Sequence, residues 1–149
     1  MAGRVLILGA AGRIGRAAAE AFRDAGWKVT SAARARSIAS IAVGTLPVEV
    51  DAFDADSVAR AARGADVILH ALNPPYTQWR RHALPLTEAA LNAARTSGAT
   101  LMLPGNIYNY GSPLPPVIDE ATPMRPTSRK GAIRVEIDAR CRAAAQDGV

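Results

Sequence analysis

The chain has 149 residues, a length typical of one domain with its own hydrophobic core. Hydrophobic residues make up 49% and charged residues 21%, and no apolar run approaches the roughly eighteen residues that a membrane helix needs. The N-terminus lacks the basic region of a secretory signal, so we expect a cytoplasmic protein. The single cysteine, Cys141, lies among helix-periodic residues, which favours a buried small hydrophobe over a reactive thiol.

The basic charge indicates an anionic ligand. A net charge of +5 and an isoelectric point near 10.1 fit either a nucleic acid or a phosphate-rich small molecule. The arginines are scattered along the chain and interleaved with acids, and no nucleic-acid-binding motif is present. We therefore expect a small-molecule ligand and neither a nucleic acid nor a membrane as partner.

Short apolar runs alternate with helical patterns along the whole chain. The runs that predict buried strands are Arg4 to Leu8, Lys28 to Ser31, Val48 to Val50, Val67 to Leu69 and Thr100 to Leu103. Five strands with intervening helices predict a doubly wound parallel sheet, the Rossmann fold, with strand order 3-2-1-4-5.

A glycine-rich segment follows the first predicted strand. The residues that we expect at a cofactor are Gly9, Ala11, Gly12, Arg13, Ile14 and Gly15. Glycines at these positions allow a tight turn, a close approach of the backbone to a phosphate, and close packing of the next helix on the sheet. The N-terminus of that helix offers free N–H groups and the positive end of its dipole to an anion. A strand before the turn and an amphipathic helix after it favour a dinucleotide site over a turn without a ligand.

The first helix ends at Gly26, which is suited to a left-handed cap. Its expected inner face consists of Ile14, Ala18, Ala21, Phe22 and Ala25. A second, short helix opens at Asp56-Ser57 and closes at Gly64.

The third predicted helix runs from Gln78 to Ser97, and Pro85 either kinks it or marks its true start. The proline-rich segment 111–126 predicts an irregular loop that crosses the carboxyl ends of the strands, where open α/β sheets bind ligands. Thr127 or Ser128 caps a last helix, which ends at Gly148. Its expected apolar face consists of Ile133, Ile137, Cys141 and Ala144.

The end of the chain bears on its domain organisation. It stops at Val149, where a sixth strand of this fold is expected to begin. We therefore expect residues 1–149 to be an NAD(P)-binding domain and the N-terminal part of a longer protein, with part of the substrate site outside them.

Two arginines follow the second predicted strand. An acid at this place contacts the ribose 2′-hydroxyl of NAD, whereas an arginine accommodates the 2′-phosphate of NADP. The sequence has Arg34 and Arg36 there and no acid. NADP is therefore the expected cofactor, with NAD as the alternative, unless both arginines are only solvated surface charges.

The three-residue gaps between Gly9, Gly12 and Gly15 resemble the short-chain dehydrogenase/reductase superfamily, most closely its extended and atypical members, the NAD(P)-dependent epimerases and dehydratases that act on nucleotide sugars. The resemblance implies that Asp51 and Ala52 contact the adenine, although Asp51 is equally suited to capping a turn. It also implies that the residues lining the cofactor ribose are His70, Ala71 and Leu72, with a structural role for His70 as the alternative.

The catalytic residues of that superfamily are altered in this chain. Segment 104–111 resembles the family's Ser-Ser-x-x-Val-Tyr-Gly stretch, with Asn106 in place of the catalytic Ser or Thr, and Lys130 and Arg134 replace the Tyr and Lys of Tyr-x-x-x-Lys. In the family the tyrosine exchanges a proton with the substrate oxygen, and the lysine lowers the pKa of that tyrosine and holds the ribose. Arg134 is expected to bind ribose hydroxyls or an oxyanion on the same helix face as Lys130.

Tyrosines offer another proton donor. Tyr108 is the preferred candidate, with a packing role as the alternative, and Lys130 is the less natural donor because its pKa would have to fall toward neutrality. Tyr110 is expected to be structural. Tyr76 and Trp79 either line a substrate pocket or cover the core, and packing is favoured.

The sequence leaves two functions open. One is an NADP-dependent oxidoreductase or epimerase with a small-molecule substrate, for which a nucleotide sugar is a candidate. The other is an NADP-binding sensor or regulatory protein without turnover. The histidines lack a paired ligand at a recognised spacing, so no metal is expected. The helices 78–97 and 128–146 are the expected faces of a homodimer.

Overall fold

Five parallel strands form the centre of the molecule. The computed structural model describes residues 3–149. The strands are β1 (Arg4–Leu8), β2 (Lys28–Ala33), β3 (Leu46–Glu49), β4 (Val67–His70) and β5 (Thr100–Met102). They lie in the order β3-β2-β1-β4-β5 and pair in parallel throughout. The predicted Rossmann fold and its strand order are confirmed.

Helices connect the strands. They are α1 (Arg13–Asp24), α2 (Ala55–Ala61), α3 (Trp79–Ser97) and α4 (Arg129–Gln146). Short 3₁₀ turns cover Ala35–Ser40, Tyr76–Gln78 and Tyr108–Tyr110. None of the helices within residues 3–149 is both long and apolar enough to cross a membrane.

The central strand β1 is buried on both faces. Leu6 and Leu8 pack on one face with residues of α2 and α3, among them Val58 and Ala90. Val5 and Ile7 pack on the opposite face with residues of α1 and β2. Because successive side chains of a strand point to opposite faces, an unbroken apolar run is the pattern of a strand covered by helices on both sides.

The predicted inner face of α1 is confirmed in part, because Ala18 and Phe22 pack against the core cluster that contains Val5 and Ile7. Ile14 is 59% exposed and Ala21 and Ala25 are exposed, whereas Gly15 and Ala19 are buried. A Cβ at Gly15 would lie 2.3 Å from the carbonyl oxygen of Gly9. The helix therefore approaches the sheet too closely for large side chains, and residue size decides the inner face more than hydrophobicity does.

Several element boundaries also differ from the prediction. α2 begins one residue earlier than predicted, because the Asp54 side chain caps it by accepting a hydrogen bond from the Asp56 backbone N–H. α3 begins at Trp79, so Pro85 lies inside it and does not mark its start. Of the two residues predicted to cap α4, Thr127 and Ser128, the structure has Ser128 as the N-cap.

The long helices pack on each other through a third cluster. Trp79 and Ala83 of α3 contact Ile137 of α4, and Ile133 and Cys141 lie beside them. The predicted apolar face of α4 is confirmed. Cys141 is half-buried, and burial raises the pKa of its thiol, so the thiolate is disfavoured at neutral pH.

Candidate functional site

The glycine-rich segment forms the turn that the sequence predicts. Gly9 ends β1 with a φ of +83°, which favours glycine. The Gly12 backbone N–H donates to the Gly9 carbonyl oxygen at 2.9 Å, and Gly12 is the N-cap of α1. No side chain in the described part of the chain caps this helix, and its first turn holds no acid. The turn therefore presents uncapped backbone N–H groups at the positive end of the helix dipole, which suits a phosphate.

The space at this turn depends on glycine, which has no side chain. A Cβ at Gly12 would lie 3.2 Å from the Gly9 carbonyl oxygen, and one at Gly9 would lie 2.9 Å from the Ala71 carbonyl oxygen. Side chains at these positions would fill the space above the helix N-terminus or push the strands apart. The absence of Cβ atoms thus keeps a backbone cradle open, as a pyrophosphate requires.

A cavity of about 340 Å³ opens beside this turn, at the carboxyl ends of the strands. We call it the glycine-loop cavity. The predicted cofactor residues that line it are Gly9, Ala11, Gly12, Arg34, Asp51, Ala52, Ala71 and Leu72. The parallel register explains their proximity, because Leu8 pairs with both Ala32 and His70, so the chain segments after β1, β2 and β4 leave the sheet side by side.

Five predicted cofactor residues lie elsewhere, and His70, one of them, is described below. Gly15 is buried under the turn, Arg13 is exposed at the first turn of α1, and Ile14 faces the second cavity described below. Arg36 is exposed and lines neither cavity. In a 3₁₀ turn, residues three apart share a side, so the turn after Arg34 directs Ser37 to the cavity and Arg36 away from it. Ser37 was missed by sequence reasoning, because its place follows from the 3₁₀ turn, which the sequence did not predict.

Asp51 closes a turn and also lies at the glycine-loop cavity, so its contact with an adenine stays a prediction. It lines the glycine-loop cavity, and its carboxylate accepts a hydrogen bond from the Phe53 backbone N–H at 3.0 Å, which closes a turn after β3. The rings of Phe53 and His82 lie 4.9 Å apart, and both line the same cavity. Sequence reasoning missed this aromatic pair because the two residues are far apart along the chain.

A second cavity of about 200 Å³ adjoins the first. We call it the tyrosine cavity, since Tyr76 and Tyr108 line it. The wall that it shares with the glycine-loop cavity consists of Ala71, Leu72, Asn73, Pro74 and Leu86. Of the predicted catalytic residues, Asn106, Tyr108 and Arg134 line the tyrosine cavity. The tertiary structure therefore brings these three residues together beside the glycine-loop cavity.

Asn106 and Tyr108 occupy the chain segment that follows β5. The Asn106 side-chain oxygen accepts a hydrogen bond from the Tyr108 backbone N–H at 2.9 Å, which leaves the amide nitrogen of Asn106 as a donor. The Tyr108 hydroxyl lies 3.4 Å from the Tyr76 hydroxyl. This hydrogen bond and the neighbouring phenol raise the pKa of Tyr108. The phenol is therefore protonated at neutral pH and is a proton donor rather than a base.

Lys130 lies beside the tyrosines but outside the cavity wall. Its Nζ is 3.9 Å from the centroid of the Tyr76 ring, a cation–π geometry, and Lys130 lines neither cavity. Lys130 contacts Tyr76, and Tyr76 and Arg134 line the same cavity. Lys130 and Arg134 are therefore on the same side of α4, in agreement with the prediction that they share a helix face.

Arg134 is held by the protein itself. Its side chain is 7% exposed, one of its terminal nitrogens donates to the Pro104 carbonyl oxygen at 2.6 Å, and its Nε lies 3.3 Å from the Asp138 carboxylate. Asp138 also accepts from the Asn109 amide at 2.9 Å. These contacts fasten α4 to the segment after β5. They leave the guanidinium less free to bind ribose or an oxyanion than the sequence suggests.

His70, at the end of β4, is a buried neutral imidazole. Its Nε2 lies 3.2 Å from the Thr87 hydroxyl oxygen. Burial, reinforced by the positive charge of Arg134, lowers the pKa of His70 from 6.5 to about 4. His70 lines the tyrosine cavity and not the glycine-loop cavity, while its neighbour Ala71 lines both.

Trp79 packs in the core, as the favoured prediction has it, whereas Tyr76 does not. The Trp79 indole N–H donates to the Asn73 side-chain oxygen at 3.0 Å and to the Pro74 carbonyl oxygen at 3.1 Å. Trp79 is buried in the α3–α4 cluster, yet it and the half-exposed Tyr76 both line the tyrosine cavity. The proline-rich segment 111–126 is irregular, as predicted, and lines neither cavity.

Known proteins share this fold. A family model described as NAD(P)H-binding matches residues 9–126. A UDP-glucose 4-epimerase from Brucella ovis, solved in complex with NAD, aligns with a TM-score of 0.84 at 18% identity, over 99% of this chain and 49% of that one. A UDP-glucose 4-epimerase from Thermotoga maritima, solved with UDP-glucose, aligns with a TM-score of 0.80 at 16% identity, over 97% and 52%.

A short-chain dehydrogenase/reductase superfamily protein from Agrobacterium tumefaciens with bound NAD aligns with a TM-score of 0.75 at 21% identity, over 97% of this chain and 46% of that one. No curated protein gives a match. The chain thus spans about half the length of the solved structures that it resembles, and at these identities the likeness shows the fold. The chain belongs to the NAD(P)H-binding family and has the fold of the extended short-chain dehydrogenases/reductases.

Proposed function

We propose that the chain is the dinucleotide-binding domain of an NADP-dependent oxidoreductase that reduces a carbonyl group on a small molecule. The observation that carries the proposal is the wall shared by the two cavities, from Ala71 to Pro74. One extended ligand bound at the glycine turn passes along this shared wall from the first cavity into the second, where it reaches Asn106 and Tyr108. Nicotinamide, when bound, supplies or accepts hydride.

The polar side chains of the tyrosine cavity suit a carbonyl oxygen. Asn106 offers an amide N–H and Tyr108 a phenolic O–H, and no carboxylate lines this cavity. Two neutral donors stabilise the negative charge that develops on a carbonyl oxygen as it is reduced. Since Tyr108 is protonated at neutral pH, it is the donor that delivers the proton to this oxygen.

Arg34 supports NADP as the cofactor. Arg34 and Ser37 both line the glycine-loop cavity. The segment at the end of β2 has no acidic residue that would favour the ribose hydroxyl of NAD. Calorimetric titration should give a dissociation constant for NADPH at least about tenfold lower than that for NADH. Arg34→Asp should narrow this difference. Arg36→Asp is the matched control, because it makes the same charge change at an exposed side chain outside both cavities and should retain the difference. Equal dissociation constants in the wild-type protein would contradict the preference.

Turnover is tested by NADPH oxidation with a panel of aldehydes, ketones, quinones and nucleotide sugars. Tyr108→Phe should lower kcat by about 10²- to 10⁴-fold without changing the dissociation constant of NADPH, because only proton donation is lost. Tyr110→Phe is the control, since Tyr110 is half-buried two residues away and lines neither cavity. Equal loss in both variants would assign Tyr108 to packing.

A second candidate function, an NADP-binding sensor without turnover, is favoured by the state of Arg134. Its guanidinium is engaged by Pro104 and Asp138, so the chain lacks a free cation at the position of the family lysine. A sensor would bind NADPH with the same preference, but it would consume no cofactor with any member of the panel.

The proposal extends to a longer protein, with residues 1–149 as its N-terminal part. The similar structures are about twice as long, and two of them are UDP-glucose 4-epimerases, which supports a further segment that completes the substrate site and a nucleotide sugar as one candidate substrate. Pairing through the exposed faces of α3 and α4 is the proposed homodimer. Native mass spectrometry of the full protein measures chain length, oligomeric state and any copurified nucleotide together.

A further inference from the structure

The turn that carries Tyr108 is bonded to α4 through a buried amide. Asn109, the middle residue of the 3₁₀ turn Tyr108–Tyr110, is 4% exposed, and its Nδ2 donates to the Asp138 carboxylate at 2.9 Å. The two residues are 29 positions apart in the chain, so this bond joins the segment after β5 to the last helix. A buried amide costs free energy that an apolar side chain at this place would not. Because a hydrogen bond is directional, the amide fixes one orientation of the turn.

The Asp138 carboxylate is itself held in place. One of its oxygens lies 3.3 Å from Arg134 Nε, and the other accepts the hydrogen bond from Asn109. Arg134 also donates to the Pro104 carbonyl oxygen at 2.6 Å, at the start of the same segment. Helix α4 therefore holds this segment at two points, one on each side of Tyr108.

Helix α4 also lies against the backbone of Tyr108. Gly131 is buried in the first turn of α4, and a Cβ there would clash with the Tyr108 carbonyl oxygen. This close approach leaves the 3₁₀ turn no room to move toward the helix. The bond between Asn109 and Asp138 opposes movement in the other direction. The backbone position of Tyr108 is therefore set by α4.

The geometry of the turn links the burial of Asn109 to the direction of Tyr108. A 3₁₀ helix has three residues per turn, so the side chains of successive residues point about 120° apart. With Asn109 bonded to α4, Tyr108 lines the tyrosine cavity. Its hydroxyl lies 3.4 Å from the Tyr76 hydroxyl, and its ring centroid lies 6.4 Å from that of Trp79. A turn without the bond to α4 is free to rotate and to lose these contacts.

We propose that Asn109, through its hydrogen bond to Asp138, is a positioning residue that holds the Tyr108 phenol at the tyrosine cavity. This role rests on the proposed function, in which Tyr108 is the proton donor. Asn109 lines neither cavity, so it acts only through Tyr108. A misplacement of a reacting group by about 1 Å lowers a rate by about 10²-fold, and this is the scale of the effect expected when the bond is lost.

Three variants test the bond. Asn109→Leu removes the hydrogen bond and keeps the size of the side chain. Asn109→Asp places a second carboxylate against Asp138. Exchanging the two residues, Asn109→Asp with Asp138→Asn, restores a bond between an amide and a carboxylate with the same net charge. Val58→Ala is the control for lost stability, because Val58 is buried in the core and lines neither cavity. Urea unfolding and the dissociation constant of NADPH show whether each variant is folded.

The first measurement needs no turnover. Nuclear Overhauser effects between the rings of Tyr108 and Trp79, and the ¹³C titration of the Tyr108 phenol, report where the phenol lies. The wild-type protein and Val58→Ala should show these effects, with the pKa of Tyr108 raised by its hydrogen bond to Tyr76. In both single variants of Asn109 the effects should weaken and the pKa should fall toward its ordinary value. The exchanged pair should restore both. A folded Asn109→Leu variant with the wild-type spectrum overturns the proposal.

The second measurement is NADPH oxidation with the panel of carbonyl compounds. Asn109→Leu should lower kcat about 10²-fold and leave the dissociation constant of NADPH unchanged, whereas Val58→Ala and the exchanged pair should retain most of the wild-type kcat. In a Tyr108→Phe background, Asn109→Leu should lower kcat no further, because it acts through the phenol. A further loss of about 10²-fold there contradicts the proposal. If the wild-type protein consumes no cofactor, the proposed function fails, and the spectra alone decide whether Asn109 positions Tyr108.

Discussion

The unusual pKa of His70 predicts how stability depends on pH. The folded protein holds the pKa of His70 at about 4, against an ordinary value of 6.5. Between these two values the unfolded chain binds a proton that the folded protein rejects, so protonation favours unfolding. The stability is therefore complete above about pH 6.5 and falls as the pH decreases toward about 4. Over the whole interval, protonation of His70 lowers the free energy of unfolding by about 3 kcal/mol. About 2 kcal/mol of this is lost between about pH 7.5 and about pH 5.

Urea unfolding at these two pH values measures the effect. The wild-type protein should lose about 2 kcal/mol of unfolding free energy, while His70→Leu should be nearly insensitive, because no buried imidazole remains to be protonated. His82→Gln is the matched control. It removes the other of the two histidines, which lies at the glycine-loop cavity and not in the core, and should retain the full loss.

Two results would refute this reasoning. If His70→Leu loses as much stability as the wild-type protein, the pH dependence arises from other groups. If neither protein loses stability above about pH 5, the imidazole is protonated in the folded state more easily than its burial indicates, and its neutral form is not enforced.

Two further predictions concern the packing of the site. Gly15→Ala should destabilise the protein by about 1–3 kcal/mol in urea unfolding and weaken NADPH binding at least about tenfold, because its Cβ would lie 2.3 Å from the Gly9 carbonyl oxygen. An unchanged affinity would show that the turn adapts. Asp138→Asn should cost about 3 kcal/mol in the same assay, since it leaves the buried Arg134 cation uncompensated. Glu136→Gln breaks an exposed ion pair on the same helix and should cost less than about 1 kcal/mol, and equal costs would contradict the argument.

The glycine turn illustrates what a sequence predicts well. A strand, a glycine-rich turn and a helix lie within some twenty neighbouring residues, so propensity and hydrophobic pattern act together on one local unit. The same alternation along the chain yields the parallel sheet and its order, because right-handed crossovers leave few ways to connect such strands.

Predictions of the direction in which a side chain points were less successful. Hydrophobicity placed Ile14 inside, whereas Ile14 is exposed and the close approach of α1 to the sheet at this turn leaves no room for a Cβ at Gly15. Arg34 and Arg36 are indistinguishable in the sequence, and only the 3₁₀ turn after β2 sends the first to the cavity and the second away from it. The geometry of a short turn is set by tertiary packing, which the local sequence does not reveal.

The sequence by itself determined the fold and the glycine turn, because both are written in local pattern. Only the tertiary structure decided that Tyr108 pairs with Tyr76, that Arg134 is engaged by Asp138, and that His70 is a buried imidazole beside Thr87. Each of these depends on which side chains meet across distant elements and how much water the packing leaves them. Hydrogen bonding and burial, rather than residue type, therefore set the chemical state of the site.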